Sequence, residues 1–135
     1  MGTTILLADD HVDFLGSVTA LVRSSYEVVA AVGDGRAAVE AAIKFKPDLI
    51  VLDVSMPELN GIQVANELKR LGLAAKIVFL SMHEDDDYVS AALGAGALGY
   101  VFKSRLNTEL LRALSLVLKG QTFLSPPRIG GSSKS

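Results

Sequence analysis

Residues 49–57 read LIVLDVSMP, an apolar run that ends at Asp53 and is followed by a Met-Pro turn. The run is short, rich in Val, Ile and Leu, and free of polar residues, which is typical of a strand buried on both faces. Asp53 therefore lies where the strand leaves the core. Asp9 and Asp10 end the first apolar run in the same way. We expect three acidic groups to converge on one sheet edge, and such a cluster of like charges requires a cation.

Similar apolar runs recur along the chain, and residues with helical spacing fill the intervals. Strands are predicted at 4–8, 26–32, 48–52, 76–80 and 98–102. Helices are predicted around residues 14–22 and at 35–45, 60–71, 85–95 and 107–119, the last with Asn107 as N-cap and Gly120 as a left-handed stop. This alternation implies right-handed βαβ units. The sequence therefore predicts an α/β fold, a doubly wound five-stranded parallel sheet.

Length and composition narrow the function classes. The chain has 135 residues, half of them apolar, and no Cys. No stretch reaches the roughly 18 apolar residues of a membrane span, and the net charge of −2 comes without a basic cluster that could hold nucleic acid. With no leader before Thr3, we expect a cytoplasmic protein. Residues 1–120 are predicted to form one domain, and the Pro-, Gly- and Ser-rich residues 121–135 a linker or tail.

In a parallel sheet, all strands end on the same edge, and open α/β sheets bind ligands outside that edge. The residues that follow the predicted strands are Asp9, Asp10, Asp53, Ser81 and Lys103. One edge thus gathers three carboxylates, a hydroxyl and an ammonium. Taken singly, each has an ordinary interpretation: an acid capping a helix, a turn hydroxyl, a solvated lysine. Their convergence is what indicates a site.

At these residues the chain resembles the receiver domain of bacterial response regulators, which has the flavodoxin-like, CheY-like fold. The likeness covers residues 3 to about 119. It is carried by Asp9-Asp10, by Asp53-x-x-Met56-Pro57-x-x-x-Gly61, by Ser81, and by Gly99-Tyr100-Val101-Phe102-Lys103. Asp9-Asp10-His11, Ser81-Met82-His83 and the ending Gly120-Gln121-x-Phe123-Leu124-Ser125-Pro126 resemble the NarL/FixJ class of that family.

The resemblance implies a strand order of 2-1-3-4-5 and a set of roles. Asp53 is expected to accept a phosphoryl group from a phosphohistidine on a sensor histidine kinase. Asp10, Asp53 and the backbone carbonyl of Ser55 are expected to bind Mg²⁺, with Asp9 bound directly or through water. Ser81 and Lys103 are expected to contact phosphoryl oxygens, and Ser81 and Tyr100 to form the switch.

The resemblance also implies partners. Regulators of this class normally carry a helix-turn-helix DNA-binding domain after the receiver, so we expect control of transcription through an output domain outside these 135 residues. The broad apolar arc of the last predicted helix fits either ordinary burial in the core or a surface for a homodimer or for that domain. His11 follows the acid pair at the start of a predicted helix, and we expect it to be a surface histidine with no direct role.

Two other functions are compatible with the same residues. A metal-dependent phosphatase of the haloacid dehalogenase type also uses a strand-end Asp nucleophile with Mg²⁺, but it usually carries a second Asp two positions later, where this chain has Ser55. The other is a receiver-shaped interaction module that works without phosphate. We expect a phosphoacceptor switch that promotes its own phosphorylation and dephosphorylation, and not an enzyme.

Overall fold

The fold is one parallel sheet with helices on both faces, in a computed structural model that describes residues 2–82 and 86–125, apart from the side chain of Asp86. Five strands begin and end within one residue of their predicted limits: β1 (Thr4–Ala8), β2 (Glu27–Val32), β3 (Leu49–Asp53), β4 (Lys76–Ser81) and β5 (Gly99–Phe102). A short sixth strand, β6 (Phe123–Leu124), pairs with β5. The order is β2-β1-β3-β4-β5-β6, so the predicted order is confirmed and extended by one strand.

Five helices connect the strands: α1 (Val12–Val22), α2 (Gly35–Phe45), α3 (Gly61–Arg70), α4 (Asp86–Gly94) and α5 (Leu106–Leu118). Side chains of α2, α3 and α4 pack on one face of the sheet, and those of α1 and α5 pack on the other. Every residue of β3 is buried, which explains why its sequence is apolar without alternation. The carboxyl ends of β1 and β3 lie side by side between these two layers.

The junction between β3 and α3 brings the backbone close to Asp53. Asn60 caps α3 in a capping box with Gln63, so the helix predicted from residue 60 onwards is confirmed and begins one residue later, at Gly61. Gly61 donates its N–H to the Val54 carbonyl at 2.8 Å. A Cβ on Gly61 would lie 2.3 Å from the Asp53 carbonyl oxygen, closer than any real contact. Only glycine fits this approach.

The start of α5 differs from the prediction. Asn107 is not the N-cap: a 3₁₀ turn over Lys103–Arg105 leads directly into a helix that begins at Leu106, and no side chain caps it. Leu106 is 6% exposed and packs in the core, so its burial fixes the start of the helix two residues earlier than a cap at Asn107 would place it. The predicted stop is confirmed, because Gly120 has φ +82° directly after the helix.

Strand β6 and its contacts form what we call the β5–β6 margin: Phe102, Arg105, Glu109 and Ser125, with β6 itself. The N–H of Phe102 donates to Ser125 Oγ at 2.9 Å, and that hydroxyl donates to Glu109 Oε1. Ser125 also donates its N–H to the Tyr100 carbonyl at 2.9 Å. Residues 121–125 were assigned from the sequence to a linker or tail, yet they include this strand. Positions 126–135 lie outside the described residues, and the domain boundary stays a prediction.

None of the helices in the described part of the chain combines the length and the apolar character that crossing a membrane requires.

Candidate functional site

The three acidic residues meet at the carboxyl ends of β1 and β3. Asp9, Asp10, Asp53 and also His11 each offer one potential ligand atom, and these four atoms all lie within 4.8 Å of one another. Asp9 and Asp53 are buried, at 2% and 3% exposure, whereas Asp10 is exposed. The chain order reverses here, because β1 lies between β2 and β3. The predicted convergence of acids therefore occurs at the switch point of the sheet, where α/β folds bind ligands.

Lys103 supplies a cation to this cluster from the end of β5. Its Nζ lies 2.8 Å from Asp9 Oδ2 and donates a hydrogen bond to Asp53 Oδ2 at 3.2 Å. Its side chain is 9% exposed. The Nζ also lies 4.5 Å from the centre of the Phe14 ring, a cation–π contact that helps to fix the ammonium. One ammonium thus bridges the two buried carboxylates.

Burial and, next in size, the charge of Asp9 raise the pKa of the Asp53 carboxyl from its ordinary 3.8 to a net value of about 6. Two groups oppose this rise: the Lys103 ammonium, and the Ser55 N–H, which donates to Asp53 Oδ1 at 3.2 Å. Desolvation and the neighbouring acid outweigh these opposing contacts. Asp53 is consequently a carboxylate whose charge is costly in its surroundings, which is a property common at functional sites.

Ser81 and Tyr100 lie on the two neighbouring strands. Ser81 is buried at the end of β4, one residue beyond the partner of Asp53 and directly opposite Phe102. Together with Lys103, Phe14 and the 76% exposed Met82, it lines a groove next to the acids. Tyr100 is fully buried and packs edge-to-face on Phe102, with ring centres 6.1 Å apart. The hydroxyl and the aromatic predicted to form the switch thus lie on adjacent strands at this edge.

The acid cluster fits a divalent cation. Three carboxylates gather here, the Lys103 ammonium contacts two of them, and Asp9 Oδ2 is a buried oxygen that makes no hydrogen bond. Its approach to Lys103 at 2.8 Å is an ion pair without hydrogen-bond geometry. Oxygen ligands from carboxylates are those that Mg²⁺ prefers, and its retained waters leave room for a further oxygen. The acidic residues predicted from the sequence are therefore chemically suited to binding Mg²⁺.

Two residues near the acids were not assigned to the site from the sequence. Phe14 begins the apolar spacing that predicts the first helix, and its ring also covers the Lys103 ammonium. His11 was expected to be a surface residue, and its Nδ1 lies 3.4 Å from Asp9 Oδ1 and 3.4 Å from Asp10 Oδ1. The only sequence signal for His11 is its position directly after the acid pair.

Comparison with known proteins gives a consistent result. The chain matches the family described as "Response regulator receiver domain" over residues 5–115. It is 35% identical over 124 residues to the transcriptional regulatory protein DegU of Brevibacillus brevis, covering 90% of this chain and 52% of that protein. It is 36% identical over 124 residues to the nitrate/nitrite response regulator protein NarL of Escherichia coli K12, covering 90% and 57%. The chain thus spans just over half the length of these curated relatives.

A solved structure supports the same assignment. The chain superimposes on a two-component response regulator of the LuxR family from Aurantimonas sp. SI85-9A1 with a TM-score of 0.90 and 30% sequence identity, covering 99% of this chain and 97% of that one.

Proposed function

Since the chain belongs to the response regulator receiver domain family, as the receiver of a NarL/LuxR-type two-component regulator, we propose that Asp53 accepts a phosphoryl group from a phosphohistidine on a sensor histidine kinase. The observation that supports this most directly is the convergence of Asp9, Asp10, Asp53 and Lys103 at one sheet edge. A buried carboxylate next to an ammonium and two further acids is suited to receiving a phosphoryl group.

The transfer is a single displacement at phosphorus. A carboxylate oxygen of Asp53 forms the new P–O bond while the P–N bond of the phosphohistidine breaks. The electron pair of that bond stays on the imidazole nitrogen, which takes up a proton. The attack needs Asp53 in its ionised form, and the hydrogen bonds from Lys103 and the Ser55 N–H favour that form.

Asp10, Asp53 and the Ser55 carbonyl would hold Mg²⁺, with Asp9 as a direct or water-mediated ligand. When bound, the ion neutralises negative charge on the phosphoryl group as it is transferred. Lys103 pairs with one phosphoryl oxygen, since its Nζ already lies 3.2 Å from Asp53 Oδ2. The Ser81 hydroxyl donates to another, from the end of the adjacent strand. Preorganised charges of this kind contribute most to stabilising such a transfer.

Phosphorylation then changes the surface around β5. The Ser81 hydroxyl is drawn towards the phosphoryl group, and Tyr100 occupies the space behind it. The Tyr100 side chain is fully buried in this structure, so an inward position of its ring is compatible with the packing between β5 and α4. The change is a shift between two packings of the same fold.

The receiver is a signalling switch and works with partners. Its relatives include proteins named as transcriptional regulators, so we propose that the signal controls transcription through a helix-turn-helix DNA-binding domain, and that the remodelled surface contacts that domain or a second receiver. No nucleic acid is bound by these residues, and the protein works in the cytoplasm. It acts as a phosphoacceptor that promotes its own phosphorylation and dephosphorylation and does not turn over an external substrate.

Intact-mass analysis tests the proposal. The parent chain, Asp53→Asn and the control Asp87→Asn, which changes an exposed acid on α4, are incubated with Mg²⁺ and acetyl phosphate. We expect one phosphoryl adduct on the parent and the control and none on Asp53→Asn. An equal adduct on Asp53→Asn contradicts the proposal. Continuous hydrolysis of an external phosphoester would favour the phosphatase, and a parent with neither an adduct nor Mg²⁺ binding would favour the phosphate-independent module.

A further inference from the structure

His11 lies beside the acid cluster in a position that differs from that of an ordinary surface histidine. It is the N-cap residue of α1, where its side chain makes no capping hydrogen bond. Its backbone N–H donates to Asp9 Oδ1 at 2.8 Å, which fixes the residue against the acid. The imidazole Nδ1 lies 3.4 Å from Asp9 Oδ1 and from Asp10 Oδ1, and the side chain is 64% exposed. It is therefore held near two carboxylates and is open to solvent.

We propose that His11 supplies a nitrogen ligand through Nδ1, so that the acid site binds a divalent transition-metal cation with an imidazole in its coordination shell. The inference rests on the metal site of the proposed function and adds a ligand to it. Its structural basis is that Nδ1 lies 3.4 Å from one oxygen of Asp9 and of Asp10, and that one ring nitrogen of His11 and one oxygen from each of Asp9, Asp10 and Asp53 all lie within 4.8 Å of one another.

The distances favour a shared ion over direct hydrogen bonds. Hydrogen bonds between nitrogen and oxygen have lengths of about 2.7–3.2 Å, and both Nδ1 distances are longer, at 3.4 Å. Ligand atoms bound at about 2.0–2.2 Å to one tetrahedral ion lie roughly 3.3–3.6 Å from each other. The spacing of Nδ1 from the two carboxylate oxygens falls in that range.

A second observation within the cluster also points to a cation. Asp9 presents Oδ1 to His11 and Oδ2 to Lys103, and Oδ2 is buried without a hydrogen bond. Lys103 thus occupies one side of the acid pair and His11 the other, which is the more open side. An ion bound by His11 Nδ1 and by Oδ1 of Asp9 and Asp10 would use other atoms than the ion pair between Lys103 and Asp9 Oδ2.

The combination of one nitrogen and several oxygen ligands determines which ions bind more tightly when His11 takes part. Mg²⁺ prefers oxygen ligands, whereas imidazole suits Zn²⁺, Co²⁺, Ni²⁺ and Cu²⁺. The effect of His11 should therefore depend on the metal: removing the imidazole should weaken the binding of a transition-metal ion much more than the binding of Mg²⁺. A histidine that only repels or screens the cation would act on both ions alike.

The test compares Co²⁺ and Mg²⁺ binding to metal-free protein by calorimetry, in the parent, His11→Ala, and His83→Ala. His83 is the chain's second histidine and lies outside the described residues. We expect His11→Ala to lower the Co²⁺ affinity at least about ten-fold more than it lowers the Mg²⁺ affinity, because removing even a group that only orients a metal ligand commonly costs about ten-fold or more. In the NMR spectrum, a strongly hyperfine-shifted imidazole resonance with Co²⁺ should be present in the parent and in His83→Ala and absent from His11→Ala.

The outcomes separate this inference from the function on which it rests. Equal loss of both affinities in His11→Ala, or no loss, overturns the role of His11 as a nitrogen ligand, whereas the proposed phosphorylation of Asp53 still stands if the parent gains its phosphoryl group in the mass experiment. An imidazole resonance that disappears in His83→Ala overturns it as well. A parent that binds neither ion, and gains no phosphoryl group in the mass experiment, removes the proposed metal site itself.

Discussion

The acid cluster of Asp9, Asp10 and Asp53 and the β5–β6 margin lie on either side of Lys103. They differ in whether their buried polar groups are fully hydrogen-bonded. In the acid cluster, Asp9 Oδ2 is buried without a hydrogen bond, and the pKa of Asp53 is raised to about 6. In the margin, the Phe102 N–H donates to Ser125 Oγ, and the Ser125 hydroxyl donates in turn to Glu109. One region leaves a charge poorly compensated, and the other pairs its buried groups in a chain of donors and acceptors.

This difference indicates that the acid cluster serves function and that the β5–β6 margin serves stability. A buried polar group costs free energy unless it is paired, so the acid cluster should lower the stability of the metal-free fold and the margin should raise it. A site that holds like charges together is ready to bind a cation or a phosphoryl group because the ligand relieves that cost. Such local costs at functional sites are offset by well-packed regions elsewhere.

The largest expected effect tests whether the backbone fixes the acid cluster. Gly61→Ala places a Cβ 2.3 Å from the Asp53 carbonyl oxygen and 2.9 Å from the Phe79 ring, so β3 and α3 must move apart. We expect the free energy of unfolding to fall by about 3 kcal/mol or more, measured by urea denaturation. Gly16→Ala is the matched control, because a Cβ there meets open space within α1 and should add about 0.5–1 kcal/mol. Equal denaturation midpoints for the two variants would contradict this account of Gly61.

The second effect concerns the charge of Asp53. Its pKa is about 6 in the folded protein and ordinarily 3.8, so the native state binds the proton more tightly than the unfolded chain does. The resulting stabilisation is fully present below pH 3.8 and is lost as the pH rises through about 6. In chelator-treated buffer at pH 7, Asp53→Asn removes the costly charge and should raise the free energy of unfolding by on the order of 3 kcal/mol.

The pH dependence provides the check on Asp53. The advantage of Asp53→Asn over the parent should be large at pH 7 and small at pH 4, when unfolding is followed by circular dichroism in urea. The exposed control Asp87→Asn should stay within about 0.5 kcal/mol of the parent at both pH values. An advantage of equal size at both pH values would mean that Asp53 carries no unusual proton affinity, and the contrast between the two regions would lose its electrostatic basis.

The same two regions show how far the sequence predicts the structure. The acid cluster could be predicted because each acid directly follows a buried apolar run, and parallel strands all end on one edge. Asn60-Gly61 could be assigned to a helix start because apolar residues follow at helical spacing. These signals are local in sequence, and the fold brings them together by a general rule.

The β5–β6 margin could not be predicted in this way. Strand β6 has only two residues, too few for a periodic pattern, and it forms because β5 offers it an unpaired edge. The role of Ser125 depends on Glu109, 16 positions earlier, and on the Phe102 N–H, 23 positions earlier. Asn107 was wrongly expected to cap α5 because the burial of Leu106 overrides a capping preference. The approach of His11 to two acids likewise depends on side-chain placement, which spacing alone does not determine.

The smallest expected effect tests whether the β5–β6 margin stabilises the fold. Ser125→Ala removes the acceptor of the buried Phe102 N–H and the donor to Glu109, and should lower the free energy of unfolding by about 1–3 kcal/mol. Ser115→Ala, an exposed position on α5, should change it by no more than about 0.5 kcal/mol. Hydrogen exchange of the Phe102 amide should accelerate only in Ser125→Ala, because that amide loses its partner. Unchanged exchange would mean that the β5–β6 margin does not protect β5. The hydrogen bonds of the margin would then contribute no stability that offsets the cost of the buried charges in the acid cluster.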